Sequence, residues 1–298
     1  MVKILSRNRE RQSSMNKLSI FTTVGHENCQ KITDPYIEAI KCYSELADEV
    51  IIMNGSGIKK FPYKSLFMAN INMDKIRIID YEWPEEFDWK FIGEQFNRGY
   101  MACSGDWVIH ADLDFFFHEK NFDEIRRSLD FYSDEPALGF LKNQFLLVDR
   151  FRIKSRLILA VNKKKFGDRI QFNSGGDLCQ PSLDGKEIKV DDIRVLRIPF
   201  YNYDFCFKDK ETIAYEFNRM AKARHKDFPD DNWGYESEEK ALEYFKNMMV
   251  GRFNNNDGWQ KIRLQDHPKY IQEKIKNITP EQFGYNAFGW FGTKIEYK

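Results

Sequence analysis

The sequence has no excess of either charge: 46 lysines and arginines stand against 46 aspartates and glutamates in 298 residues. A nucleic-acid binder carries a basic excess or a basic stripe, so that class is set aside. The most basic segments, Arg7 to Arg11 and Lys163 to Lys165, are short and read as solvated faces. Long apolar runs are also missing. No stretch approaches the ~20 apolar residues that a membrane-spanning helix needs. Met1 to Asn16 is polar and basic without a hydrophobic centre, unlike a secretory signal. Cysteine is sparse. Cys29, Cys42, Cys103, Cys179 and Cys206 are odd in number and never in a Cys-x-x-Cys spacing. That pattern argues against a disulfide framework or structural zinc, and for reduced thiols in a cytoplasmic compartment. What the chain has in quantity is aromatic residues, 26 of them phenylalanine, which suits a packed globule rather than a disordered chain.

Residues 1–16 read as a frayed leader. Beyond them the pattern alternates. Leu18 to Val24 is a β-branched and aromatic run, read as a strand. Asp34 then serves as a helix N-cap with Pro35 at the first helical position, and Ile37, Ile40, Tyr43 and Ala47 form one stripe. Glu49 to Met53 is a second strand, ending in the turn Asn54-Gly55-Ser56-Gly57. Lys75 to Asp80 is a third. A helix over Asp88 to Cys103 places Trp89, Ile92, Phe96, Tyr100 and Cys103 on one face. Asp106 to Ala111 is the fourth strand. Strands alternating with helices predict right-handed crossovers and a mainly parallel twisted sheet flanked by helices, an α/β class.

Ligands of such sheets bind beyond the carboxyl ends of the strands. The fourth strand delivers Asp112 and Asp114 there. If the strand continues through them, they share a face, with alpha carbons ~6.5–7 Å apart. Two carboxylates at that spacing converge on one hard cation, Mn²⁺ or Mg²⁺, leaving positions for water and phosphate oxygens. Thr22, Thr23, Asn54 and Asp80 stand at neighbouring strand ends. His110, two residues before Asp112, is either a support for that aspartate or a satisfied core histidine. His118 reads as a surface residue.

After Phe115 the pattern is more mixed. Asn121 to Leu129, Asp209 to Ala223 and a segment capped by Ser237 and running to Met249 read as helices. Ala137 to Val148 and Arg194 to Phe200 read as strands. Phe283, Tyr285, Phe288, Trp290 and Phe291 read as core, or alternatively as an aromatic cover for a binding site. No repeat, low-complexity segment or clean linker interrupts the chain. A single unit in two parts, 17–118 and 119–298, is therefore expected.

Thr22-Thr23-Val24, Asn54-Gly55-Ser56, Gly105-Asp106-Trp107-Val108 and Asp112-Leu113-Asp114, in that βα order, resemble the nucleotide-sugar half of GT-A type glycosyltransferases. The similarity is strongest to glycosyltransferase family 2 and its bacterial and viral relatives, and covers roughly residues 17–118. The resemblance implies a Rossmann-like GT-A fold with a mixed α+β acceptor-side half in one continuous catalytic domain. It implies metal-dependent, inverting transfer of a sugar from a nucleotide-sugar donor to a hydroxyl of a carbohydrate or glycoconjugate acceptor.

By position, Thr22, Thr23 and Val24 would line the base and ribose, and Asp80 would face the base. Asn54 stands where the family often has aspartate. Asn97 and Gly99 match the family's Arg-Asn-x-Gly segment, with Phe96 in place of the arginine. Asp112, Leu113 and Asp114 match its DxD motif, which holds metal and diphosphate. The family's general base has no clear equivalent, and Asp177, in the turn Asn173 to Asp177, is the local candidate. Asn202-Tyr203-Asp204 occupies the place of a late His-Tyr pair, and His267 matches the C-terminal histidine that completes the metal shell in some GT-A enzymes.

A sugar-nucleotide nucleotidyltransferase is the alternative enzyme. It would need a basic, Gly-rich loop after the first strand, where this chain has one glycine and no lysine or arginine before Lys31. A degenerate nucleotide- or sugar-binding scaffold is the non-enzymatic alternative, suggested by Asn54, Phe96 and the missing base. A glycosidase is disfavoured because two carboxylates on one strand face cannot flank a scissile bond.

Overall fold

The computed structural model describes residues 15–24, 34–55, 63–82, 88–172, 179–255 and 258–292. Asp177 and most of the expected leader lie outside the described residues. The first third alternates as the sequence predicts, through β1 (Leu18–Val24), α1 (Tyr36–Leu46), β2 (Glu49–Asn54), α2 (Tyr63–Met68), β3 (Ile76–Asp80), α3 (Trp89–Ala102) and β4 (Trp107–His110). β1 pairs in parallel with β2 and β4, and β2 with β3.

Side chains along these strands divide between two faces, as strand alternation requires. Leu18, Ile20, Val50 and Ile52 share a core with Ile40 and Tyr43 of α1. Phe21, Ile51, Met53 and Val108 share another with Phe96 and Tyr100 of α3. Asp88 caps α3 by accepting a hydrogen bond from the Lys90 amide at 2.7 Å. The expected Asp34 cap on α1 is not made. Pro35 takes the cap position, and the Asp34 carboxylate lies 3.3 Å from Lys208 Nζ.

β5 (Phe115–Phe117) and α4 (Phe122–Phe131) follow, and then the hairpin β6 (Ala137–Leu147) and β7 (Arg150–Asn162). After the single turn α5 (Lys163–Phe166), β8 (Ile170–Phe172), β9 (Pro181–Leu183) and β10 (Lys186–Glu187) form a separate small sheet. β11 (Arg194–Asn202), α6 (Lys210–Asp227), α7 (Glu238–Asn254) and β12 (Gln260–Lys261) come next.

Among the described residues the main sheet has nine strands in the order β3-β2-β1-β4-β7-β6-β11-β5, with β12 on β7. β6 and β11 run with the first four strands, whereas β5 and β7 oppose them. The sheet is thus mainly parallel and flanked by helices, the expected α/β class. Pairing of β4 with β7 makes one sheet from both halves of the chain.

β7 is the main element without a sequence expectation. Its first half alternates Arg150, Arg152, Lys154 and Arg156 with Phe151 and Ile153, a period of two carried by charge. Its second half, Leu157 to Val161, is buried. His118, expected at the surface, is buried, and its Nδ1 accepts from the Lys120 amide at 3.4 Å. The C-terminal aromatics are core: Phe283, Phe288, Trp290 and Phe291 pack with Phe217 and Phe245 of α6 and α7.

Candidate active site

β4 ends at His110, so Asp112 and Asp114 sit in the turn beyond the strand rather than on its face. The turn is fixed from three sides. The Phe115 amide donates to the Asp112 carbonyl at 2.9 Å, closing it. The Tyr43 hydroxyl, projecting from α1, contacts the carbonyls of Asp112 and Phe115. The Tyr203 amide donates to the Asp114 carbonyl at 3.0 Å. Leu113 is buried in the core between the two aspartates. A backbone held this way aims both carboxylates before any ligand arrives.

The two carboxylates have different surroundings. Asp112 is 37% exposed, and its Oδ1 lies 3.2 Å from His110 Nε2 in a geometry that makes no hydrogen bond. The Phe96 ring covers His110 at 3.9 Å between centroids. Asp114 accepts from Asn202 Nδ2 at 2.7 Å. Burial raises the Asp114 carboxyl well above its ordinary value, and the charges of Asp112, Asp34 and Asp204 push the same way against Lys208. Lys208 is buried 2.7 Å from Glu216 and 3.3 Å from Asp34. Burial disfavours its charge, but Asp34 and Glu216 outweigh that and hold it protonated.

The pair opens into a cavity of about 340 Å³ between the sheet and α6 and α7. Asp112, Asp114, Asn202 and Asp204 line it together with Lys142, Lys154 and Arg252. Asp204 has a left-handed backbone, φ 40°, and its Oδ2 accepts from Gln144 Nε2 at 3.1 Å.

Among the described residues, none of the other expected site residues lines this cavity. Thr22, Thr23, Val24, Asn54 and Asp80 do gather at the carboxyl ends of β1, β2 and β3. Asn54 Nδ2 donates to Asp80 Oδ1 at 2.5 Å, a bond that an aspartate at position 54 could not make. Thr22 Oγ1 is buried without a hydrogen-bond partner. The Tyr81 hydroxyl donates to the Val24 carbonyl at 3.0 Å, and its ring lies where a Cβ on Gly55 would stand, 2.6 Å away.

Asn97 is turned elsewhere. Its amide bonds both the carbonyl and the N–H of Phe172, tying α3 to β8. His267 is not brought to the aspartates. It lies in the core with Phe145 and Tyr203, with Nδ1 2.7 Å from the Tyr203 hydroxyl, and burial lowers its pKa to about 4. Its ring also meets the Val148 backbone, so its polar edges are engaged.

Among the described residues no group of three or more His, Cys, Asp or Glu stands together as a metal cage. The oxygen donors of Asp112 and Asp114, crowded by Asp34 and Asp204, suit a hard divalent cation that takes its remaining ligands from water and phosphate. Asn202 and Asp204 fall in the segment that stands in place of the late His-Tyr pair, and the structure brings that segment to Asp114 and the cavity. Lys208, Lys142 and Lys154 have no signal in the resemblance and reach the cavity only through the fold. The alternating charge of β7 is the one local pattern that marks any of them.

No family model and no curated protein matches the chain. Solved structures similar to it include S. aureus TarS, 11% identical over 71% of this chain and 44% of that one, with a TM-score of 0.40. The chain therefore spans less than half the length of that structure. S. aureus TarS 1–349 in complex with UDP is 13% identical over 92% of this chain and 80% of that one, at a TM-score of 0.40. The mannosyltransferase PcManGT from Pyrobaculum calidifontis, in complex with GDP-Man and Mn²⁺, is 8% identical over 78% and 70%, at 0.39. Among the described residues no helix is long and apolar enough to cross a membrane.

Proposed function

We propose that this chain is a glycosyltransferase that moves a sugar from a nucleotide-sugar donor to a hydroxyl of a carbohydrate or glycoconjugate acceptor. The carrying observation is the Asp112–Asp114 turn at the end of β4, pinned by Tyr43, Asn202 and Tyr203 and open to the cavity. The GT-A resemblance of residues 17–118 supports the same reading. Asp112 and Asp114 hold Mn²⁺ or Mg²⁺, and Asn202 fixes one Asp114 oxygen. When bound, such a cation supplies positive charge to the diphosphate and its departing oxygen. The ends of β1, β2 and β3 receive the nucleoside, with Thr22 Oγ1 as an unfilled hydrogen-bonding group and the Asn54–Asp80 pair beside it.

Transfer forms a bond from the acceptor oxygen to the anomeric carbon and breaks the bond from that carbon to the diphosphate. The acceptor proton passes to a carboxylate. Asp177 is one proposed base. Asp204 is the other, because it lines the cavity and its Oδ1 makes no hydrogen bond among the described residues. Direct displacement by the acceptor gives inversion.

A thermal-shift panel of UDP-, GDP- and dTDP-sugars with and without Mn²⁺ tests the donor site, since a ligand that binds only the folded form raises its stability. One nucleotide is expected to stabilise the protein only with metal. Asp112→Asn and Asp114→Asn are expected to abolish that effect and to lower transfer by roughly a hundredfold or more. Transfer that survives both substitutions overturns the assignment. Of Asp177→Asn and Asp204→Asn, the one that lowers kcat without weakening nucleotide binding marks the base.

A further inference from the structure

The cavity contains cations that its carboxylates do not pair. Lys208 is tied to Asp34 and Glu216, and Arg224 to Asp231 at 2.8 Å. Lys142 on β6, Lys154 on β7 and Arg252 on α7 line the same cavity with no ion pair among the described residues. Arg152 stands close by on β7, where its charge acts on Lys154. Gln144, which lines the cavity, pairs with Arg152 across the hairpin, and Lys142 and Lys154 stand at the register shift that follows between Leu141 and Asn143.

These groups feel one another. Burial lowers the pKa of Lys154, the charges of Arg252, Lys142 and Arg152 lower it further, and Asp204 alone draws it up. Burial and Arg252 act likewise on Arg152. Arg152 Nε is buried with no hydrogen-bond partner, although its guanidinium lies 5.3 Å from the Trp259 ring centroid. Like charges gathered at a cavity, with a donor unfilled, are relieved by an anion.

Strand order indicates which ligand brings that anion. β4, which carries the Asp112–Asp114 turn, separates β1, β2 and β3 on one flank from β7 and β6 on the other. The nucleoside belongs to the first flank and the cations to the second. We propose that Lys142, Lys154 and Arg252, supported by Arg152, form a subsite for a phosphate group carried by the acceptor. The proposal rests on the donor reading above, in which Asp112 and Asp114 hold the nucleotide diphosphate. It makes the acceptor a phosphate-bearing carbohydrate rather than a neutral glycan.

Calorimetric titration of the full chain with glycerol 3-phosphate, inorganic phosphate and glycerol tests the subsite. The nucleoside diphosphate chosen by the panel is titrated separately with Mn²⁺. Both phosphates are expected to bind and glycerol is not. Lys154→Gln and Arg252→Gln are each expected to weaken glycerol 3-phosphate roughly tenfold or more, the usual effect of removing a charged hydrogen-bonding partner. Lys154→Arg is expected to retain the binding, and unchanged near-ultraviolet circular dichroism would show that the glutamine variants are folded.

Failure of both phosphates to bind overturns the proposal, as does binding that ignores both glutamine substitutions. Equal losses of glycerol 3-phosphate and nucleoside diphosphate would also overturn it, by assigning the cations to the donor. Asp112→Asn reports on the donor reading separately, because it is expected to remove nucleotide binding and leave glycerol 3-phosphate binding in place.

Discussion

Burial keeps the imidazole of His267 neutral, lowering its pKa from 6.5 to about 4. The unfolded chain therefore binds the proton first as pH falls. The stability that neutral His267 supports is complete above pH 6.5 and is lost between 6.5 and 4, by up to about 3 kcal/mol. Urea unfolding across that range is expected to show the slope, and His267→Phe to flatten it. A histidine-proline motif near the C-terminus gives no sign of this in sequence. The aromatic surroundings from Phe145 and Tyr203 come from β6 and the residue after β11, both distant in the chain. Asn97 shows the same limit, because a motif match cannot reveal that its amide is engaged by the Phe172 backbone.

Among elements, Lys208 links the entrance of α1 to α6. Its ammonium lies between Asp34, just ahead of α1, and Glu216 within α6. Lys208→Met would leave the buried Glu216 and the partly buried Asp34 without their partner, and a loss of about 3 kcal/mol is expected in denaturant titration. Exchanging Lys208, Asp34 and Glu216 together for apolar residues is expected to restore much of it. The displaced cap belongs to the same contact, since Asp34 before Pro35 reads locally as an N-cap but pairs with a lysine from the far half of the chain. Helices with strong local signals, such as α3 behind Asp88, begin where the sequence predicts. β7 lacked a sequence expectation because its charges alternate instead of clustering, and only pairing with β4 and β6 makes its apolar half a central strand.

Across the whole molecule, the proposed function and stability conflict at the aspartate pair. Burial and the nearby carboxylates raise the Asp114 pKa, so the folded form loses stability as pH climbs from 3.8 through that raised value. Asp114→Asn removes the charge and can keep the bond from Asn202. It is expected to make the metal-free protein more stable at neutral pH, by about 1 kcal/mol, while removing stabilisation by nucleotide with Mn²⁺. Thermal melts with and without EDTA and nucleotide check both effects. A destabilised metal-free Asp114→Asn protein would show that the carboxylate serves the fold more than a ligand.

The sequence by itself determined the βα order of the first four strands, the two-faced burial of their side chains and the place of Asp112 and Asp114 at one strand end. Those features are set by local hydrophobic period, capping and turn residues. Tertiary structure alone decided what surrounds that pair. It ended β4 before the aspartates, brought Asn202, Asp204 and Lys208 from the C-terminal half, and turned His267 and Asn97 to other partners. It also gathered Lys142, Lys154 and Arg252 from two strands and a helix. The physical reason is that carboxylate pairing, amide bonding and the mutual effect of charges act through space between groups far apart in the chain, where no residue spacing records them.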